Sequence, residues 1–344
     1  MNTTCARCAF PLLLGAILFI AWGIHRAGQT SSLLELPRVM RDSQKASFRI
    51  GISAYPRQAL DTEAYRVTMA RPAQRIVSQY WSIDDFVYSI VPPHRVVAVS
   101  ESAYQRSFSN VYQWAERHRP VIATDPERVL RVDPDLILVS SSGRADYTSL
   151  LRNAGIPTFR LFTAFTTLNQ ISENILLVGY LTGEDESAGR LSEQFRRAVD
   201  RGRSRRPSGW PPPRILGYAG RYSYGSQTLF HDIVRTLGGI NLGADHGLKG
   251  YDSVNTEQVL RWDPEWIVSG ADRGKTGEIL ARLLQDPAIA LTTAAKKGQI
   301  LVFENNVFLP MSPYSTLLLN AMADAIYSKP GAPTGSEERR KDQE

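Results

Sequence analysis

Glu127-Arg-Val-Leu-Arg-Val-Asp-Pro-Asp-Leu-Ile-Leu-Val-Ser140 is repeated in form as Glu257-Gln-Val-Leu-Arg-Trp-Asp-Pro-Glu-Trp-Ile-Val-Ser269. Glu, Val-Leu-Arg, Asp-Pro and an apolar run return at one constant offset, 127 to 257 and 133 to 263. Each copy reads as a short helix, a stop and a strand. The residue before a proline is driven from the right-handed helical region, so each helix ends at its Asp. The Leu-Ile-Leu-Val and Trp-Ile-Val runs are short, rich in β-formers and continuously apolar, as in a strand covered on both faces. An offset this long is a duplicated domain rather than a solenoid repeat. The chain is therefore expected to be α/β, with two Rossmann-like lobes built on mostly parallel sheets.

The flanking sequence extends the pattern. Strands are expected at Arg75–Ser78, Arg95–Ser100, Leu136–Ser140 and Ile156–Phe162, with helices at Ile83–Ile90, Glu127–Val132 and Tyr147–Ala154 between them. Strictly alternating strands and helices with short turns predict a parallel sheet between helices. From Thr167 to Arg201, apolar residues at helical spacing predict a long connector. Thr182-Gly183-Glu184-Asp185 interrupts it, so it reads as one kinked helix or two stacked ones. Arg214–Tyr218 then opens the second lobe as Arg75–Ser78 opens the first. Helices follow at Leu229–Leu237, Ile279–Leu284 and Pro313–Tyr327, and a strand at Gln299–Phe303. The predicted boundaries are 24–72 for an N-terminal extension, 73–166 for the first lobe, 167–206 for the connecting helix and 207–328 for the second lobe. Within the extension, Ser47–Tyr55 and Ala64–Met69 are candidate strands.

The 344 residues suffice for two cores, and 43% hydrophobic with 22% charged residues is a globular composition. The net charge of +6 owes much to Arg196, Arg197, Arg201, Arg203, Arg205 and Arg206. No aromatics interleave with that run, so it reads as a solvated helix end rather than a nucleic-acid surface. Residues 1–23 read as a signal peptide: Arg7, an apolar run from Phe10 to Ile20, then Ala21-Trp22-Gly23. The alternative is an N-terminal anchor, for which a run of about 15 apolar residues is short. Both cysteines, Cys5 and Cys8, precede this run, so the body has no thiol for a disulfide, a metal or catalysis. The tail 329–344 is polar and expected to be disordered.

Enzyme signatures are missing from the sequence. The five histidines are scattered, and no nucleophile–base motif occurs. Gly270-Ala-Asp-Arg-Gly274-Lys275-Thr276 follows a strand but has one residue too few between its glycines for a phosphate loop. No catalytic residue, cofactor or metal site is expected. Ligand binding is better supported, because open parallel sheets bind ligands beyond the carboxyl ends of their strands. The residues at those ends are Tyr80, Trp81, Tyr104, Ser142 and Arg144 in the first lobe, and Arg221, Tyr222, Tyr224 and Arg273 in the second. Aromatics, hydroxyls and arginine forks are a pocket-lining mixture.

Arg75-Ile-Val-Ser78, Arg95-Val-Val-Ala-Val99, Glu127…Asp133-Pro134-Asp135-Leu-Ile-Leu, Leu237-Gly238-Gly239-Ile-Asn241 and Glu257…Asp263-Pro264 resemble, in this order, the substrate-binding proteins of ABC importers for ferric siderophores, haem and vitamin B12. The resemblance covers roughly residues 70 to 327. It implies two lobes bridged by a long rigid helix, and a small-molecule ligand (ferric siderophore, haem or corrinoid) held between them in a preformed cleft. It implies a periplasmic or envelope location, an ABC permease as partner and a monomeric chain. It also implies one acidic docking residue per lobe, matched here by Glu116 and by Asp232, the latter shorter than the family's usual residue. Gln79-Tyr80-Trp81 replaces the small turn usual after the first strand; it enlarges the aromatic content of the cleft or fills it. The rival readings are an envelope enzyme on the same fold and a membrane-anchored sensor or scaffold.

Overall fold

A computed structural model describes residues 55–327, Thr124 excepted. The leader, residues 24–54 and the tail 329–344 lie outside the described residues. The first described element is a hairpin of β1 (Arg57–Leu60) and β2 (Arg66–Met69). Ala64–Met69 was the expected position of β2. The candidate strand Ser47–Tyr55 lies outside the described residues except for Tyr55, which is not in a strand.

The first lobe runs β3 (Ile76–Ser78), α1 (Trp81–Ile90), β4 (Val96–Val99), α2 (Tyr112–His118), β5 (Val121–Ile122), α3 (Pro126–Arg131), β6 (Leu136–Ser140), α4 (Ala145–Asn153) and β7 (Thr158–Leu161). Its sheet is wholly parallel, in the order β5-β4-β3-β6-β7. Two helices connect the lobes, α5 (Leu168–Thr182) and α6 (Asp185–Ser204). The second lobe holds β8 (Arg214–Ala219), β9 (Tyr222–Tyr224), α7 (Leu229–Thr236), β10 (Ile240–Asn241), β11 (Tyr251–Ser253), α8 (Thr256–Trp262), β12 (Trp266–Ala271), α9 (Thr276–Gln285) and β13 (Ile300–Glu304). The C-terminal α10 (Ser315–Tyr327) follows. Here β10, β8, β12 and β13 are parallel, while β9 and β11 add antiparallel strands at one side.

The two copies of the repeat form α3–β6 and α8–β12, one in each sheet. The Asp of each copy takes a left-handed conformation, φ 46° at Asp133 and φ 42° at Asp263. Asp tolerates that region better than most side chains, and the following proline disfavours the right-handed one. The acid after each proline then ties down the strand beside it. Asp135 accepts the Arg75 N–H at 2.8 Å, and Glu265 accepts the Arg214 N–H at 2.9 Å. Each arginine returns the bond by donating to the carbonyl at the helix end, Val132 for Arg75 and Trp262 for Arg214.

The connector takes the second of the two forms expected for it: it is a helix hairpin, not one helix. Thr167 and Gln170 form a capping box at the start of α5, and Gly183, at φ 80°, ends it. The helices then run back along each other, and the Ser172 and Ser192 hydroxyls meet at 3.0 Å. The arginine cluster on α6 sits on an exposed face, paired in part with Glu193, Asp200 and Asp324. The N-terminal hairpin docks on the connector through Arg57, whose buried guanidinium donates to Asp185 at 2.6 Å and to the Tyr180 carbonyl at 2.8 Å. One apolar core runs without a break from Ile76 and Phe86, through Ile171 and Ile175, to Phe230 and Leu319. The lobes and the connector are thus joined by shared packing. Among the described residues no helix is long and apolar enough to cross a membrane.

Gly179 is where α5 and α6 come closest: a Cβ there would lie 2.2 Å from the Ala188 Cβ. Gly179→Val should cost ~1–3 kcal/mol through overpacking. Thermal unfolding should show a lower Tm, and an unchanged Tm would mean that the hairpin repacks freely.

Candidate ligand-binding site

The carboxyl ends of both sheets converge on one seam. Trp81 opens α1 directly after β3, with Tyr80 as its extended N-cap residue. The Trp81 ring meets Phe108 edge-on at 5.1 Å and Tyr80 at 5.6 Å. From the second lobe, Tyr224 packs on Tyr251 (5.3 Å), Phe308 (5.5 Å) and Phe230 (5.1 Å). Gly217 in β8 admits that cluster, since a Cβ there would meet Phe230 and Tyr224 at 2.7 Å. The Tyr251 phenol is pushed up by burial, and Tyr80, facing it from the first lobe, pushes in the same direction.

Between the lobes lies a cavity lined by Trp81, Asp85, Ser102, Phe108, Asn110 and Asn305, among others. Its volume of about 10 Å³ is close to the least that holds one water molecule. Tyr80 and Trp81, both half-buried, add aromatic surface beside this cavity, and the Trp81–Phe108 contact narrows it. Asn110 closes it further, donating from Nδ2 to the Asn306 carbonyl at 2.9 Å.

The predicted site residues divide into two groups. Tyr80, Trp81 and Ser142 come together: the Ser142 hydroxyl lies close enough to the Tyr80 phenol to oppose the rise that burial gives it. Tyr224 joins the seam from below as a buried core residue. Tyr222 lies half-buried in β9, on a stretch expected to be a loop. Tyr104 does not serve the seam; its hydroxyl donates to the Pro120 carbonyl at 2.6 Å and stays near Glu116 and Arg119. Arg144 is exposed and binds Asp146 in the first turn of α4. Arg221 and Arg273 are exposed, and neither lines the cavity. The expected arginine contacts are thus not assembled at the seam. The Gly270–Thr276 loop is also no anion cradle, since the Gly274 N–H donates to the Glu304 carboxylate at 3.0 Å.

Glu116 is exposed on α2. Asp232 is half-buried on α7, and its Oδ2 accepts the Leu168 N–H at 2.8 Å. It thereby fastens the second lobe to the start of the connector, where a carboxylate also suits the helix dipole.

The sequence reading missed Asp84 and Asp85, two consecutive acids in α1 that are 1% and 4% exposed. The Ser100 hydroxyl and N–H donate to Asp84, and the Ser312 hydroxyl donates to Asp85 at 2.7 Å. Burial is the main cause that lifts Asp84 to about 7 and Asp85 to about 8; the neighbouring Asp84 adds to the Asp85 shift. The available signal was an acid pair inside the apolar helix Trp81–Ile90, where helical spacing leaves no solvent face for both. Phe108 and Asn110 lie in a loop, and Asn305 opens a one-turn helix, Asn305–Phe308, all too short or irregular for periodicity to register.

The chain belongs to the periplasmic binding protein family, whose model matches residues 76–307. Members of this family are binding proteins. A cobalamin-binding protein of Halobacterium salinarum is 24% identical over 285 residues, covering 80% of this chain and 75% of its own. A vitamin B12-binding protein of Yersinia pseudotuberculosis is 27% identical over 253 residues, covering 70% and 87%. Among solved structures, the periplasmic haem-binding protein RhuT of Roseiflexus sp. RS-1 aligns with a TM-score of 0.62 at 22% identity, covering 74% of this chain and 98% of that one. A possible iron-binding protein of Staphylococcus epidermidis aligns at 0.63 and 18%, covering 75% and 100%. These structures share the two-lobed fold.

The two buried acids predict a pH dependence. Unfolded, both titrate near 3.8; folded, they hold protons to about 7 and 8. The folded state binds more protons over that interval, so stability falls as pH rises from about 4 to about 8. Asp85→Asn keeps an oxygen for Ser312 and removes the ionisation. Its Tm relative to the parent should rise between about pH 5 and about pH 8. A difference that is equal at both pH values would mean that Asp85 is already ionised in the fold.

Proposed function

We propose that this chain is the extracytoplasmic capture component of an ABC importer, taking up a metal-centred ligand, a flat corrinoid or haem or a bulkier ferric siderophore, at the seam between its lobes. The observation that carries this reading is the convergence of Tyr80, Trp81 and Phe108 with Tyr251 and the Tyr224 cluster at the carboxyl ends of both sheets. Flat rings give a macrocycle broad apolar contact at little entropic cost. The names of the Halobacterium and Yersinia relatives favour the corrinoid among the three. At this cavity the Trp81 and Phe108 rings stand against each other, so a ligand entering there replaces ring–ring contacts with its own. Delivery follows by docking on a permease, with the exposed Glu116 as the first-lobe contact. Asp232 is the second-lobe candidate, and it holds the start of α5 at the same time.

Absorbance titration with cyanocobalamin, haemin and a ferric catecholate tests the reading, since each ligand is coloured. At least one should saturate the protein one-to-one, and failure of all three overturns the proposal. Trp81→Ala should weaken that binding about 30-fold, the equivalent of ~2 kcal/mol for a buried aromatic anchor. An unchanged titration would remove Trp81 from the site. Glu116→Lys should leave the titration intact and slow permease-dependent uptake about tenfold or more; uptake at the parental rate would refute docking through Glu116.

A further inference from the structure

We propose that Asp85 is the specificity-determining residue of the interlobe site, selecting ligands that carry neutral amide groups over ligands that carry carboxylates. This rests on the reading above that the seam binds a metal-centred ligand. The first observation is the composition of the cavity wall. Its polar members are Asp85, Ser102, Ser109, Asn110 and Asn305, and among the described residues no Lys, Arg or His lines it. A ligand carboxylate brought to this wall would lose its water and find no cation, a large uncompensated cost. The arginines that sequence reasoning offered for that task lie elsewhere, Arg144 against Asp146 and Arg221 and Arg273 in solvent.

The second observation is the hydrogen-bonding capacity of the wall. Asn110 donates one N–H to the Asn306 carbonyl, and Asn305 donates one N–H to Asp272 at 3.0 Å. Each keeps its oxygen and its second N–H as groups it can offer. Asp85 is 4% exposed and is held in place through one oxygen by Ser312, which belongs to the segment entering α10. The wall therefore offers neutral donors and acceptors together, and its natural complement is a neutral group that both donates and accepts, as an amide does. A protonated carboxyl is a still closer match for a primary amide: its O–H donates to the amide oxygen while its C=O accepts the amide N–H. Burial keeps Asp85 in that form near neutral pH. The groups facing it are Ser312, the neighbouring Asp84 and Tyr314, none of them cationic. The peripheral amides of a complete corrinoid meet this wall well. The propionates of haem and the carboxylates of an amide-free corrinoid do not.

The experiment compares cyanocobalamin with dicyanocobyrinic acid heptacarboxylate and with haemin, by absorbance titration of the purified protein near neutral pH. The parent should bind cyanocobalamin about 100-fold or more tighter than the heptacarboxylate or haemin, the scale expected when polar partners are left unpaired. Asp85→Asn, which cannot ionise against a ligand carboxylate and carries two N–H donors in place of one O–H, should narrow the ratio between cyanocobalamin and the heptacarboxylate at least about tenfold. Asp85→Leu should weaken cyanocobalamin about tenfold or more without improving the heptacarboxylate. Thermal unfolding of both variants confirms that they are folded. If cyanocobalamin binds and the heptacarboxylate binds equally well, or if both variants keep the parental ratio, the role of Asp85 is overturned while the seam stands as the binding site. If neither corrinoid nor haemin nor a ferric catecholate binds the parent, the seam reading falls, and this inference with it.

Discussion

The architecture depends on a reciprocal bond made once in each lobe. An arginine at the start of the first strand donates to the end of the repeat's helix, and the acid after Asp-Pro accepts that arginine's own N–H. Backbone and side chain are locked in both directions across neighbouring strands. A slip of β3 against β6, or of β8 against β12, would break two charge-assisted bonds and leave helix-end carbonyls without donors. Because the bond sits at the amino ends of the strands, it fixes where the carboxyl ends fall. That edge is where Trp81, Asn305 and the Tyr224 cluster emerge. The position of the seam is thus a consequence of bonds made at the far side of each sheet.

The same edges meet through a continuous core rather than across open solvent. Residues of both lobes and of the connector belong to one apolar cluster, so separating the lobes as rigid bodies would expose that surface at about 25 cal/mol per Å². The helix hairpin of α5 and α6 reinforces this, since it packs on itself and also carries α10. Among the described residues, the loop of Phe108 and Asn110 is hydrogen-bonded to the second lobe beside the cavity through Asn110 and the Asn306 carbonyl. Phe108 of the same loop covers Trp81 edge-on, so loop and ring share this corner of the seam.

Much of the fold was legible because it is written in periodicity. The duplicated segment fell in both sheets as read, and Leu136–Ser140 matches β6 residue for residue. The connector resolved into two helices where Gly183 marked the break. Strands β9 and β11 were missed because they are three residues long and partly exposed, too short for alternation to register. The site was half legible. Tyr80 and Trp81 were found because they follow a strand directly. Tyr104 and the three arginines obeyed the same rule, but their partners are local, and a strand-end position does not say which way a side chain turns. Asp85 was invisible to that rule, since it lies one helical turn further on and acts by being buried.

The contact between Trp81 and Phe108 changes how affinity must arise beside the cavity. In an open cleft, a flat ligand would gain nearly all of its apolar burial on entry. Here Trp81 and Phe108 already cover each other, so a ligand gains only the difference between its contacts and theirs. The apolar term is then a poor discriminator among macrocycles of similar size, because each displaces the same rings. Selection passes to groups whose satisfaction differs between ligands, and these are the polar atoms of the wall. An unpaired buried polar group costs more than a good hydrogen bond returns. On the proposed reading, a seam of aromatic rings with neutral polar groups beside it binds through its rings and chooses through its carboxyl and amides.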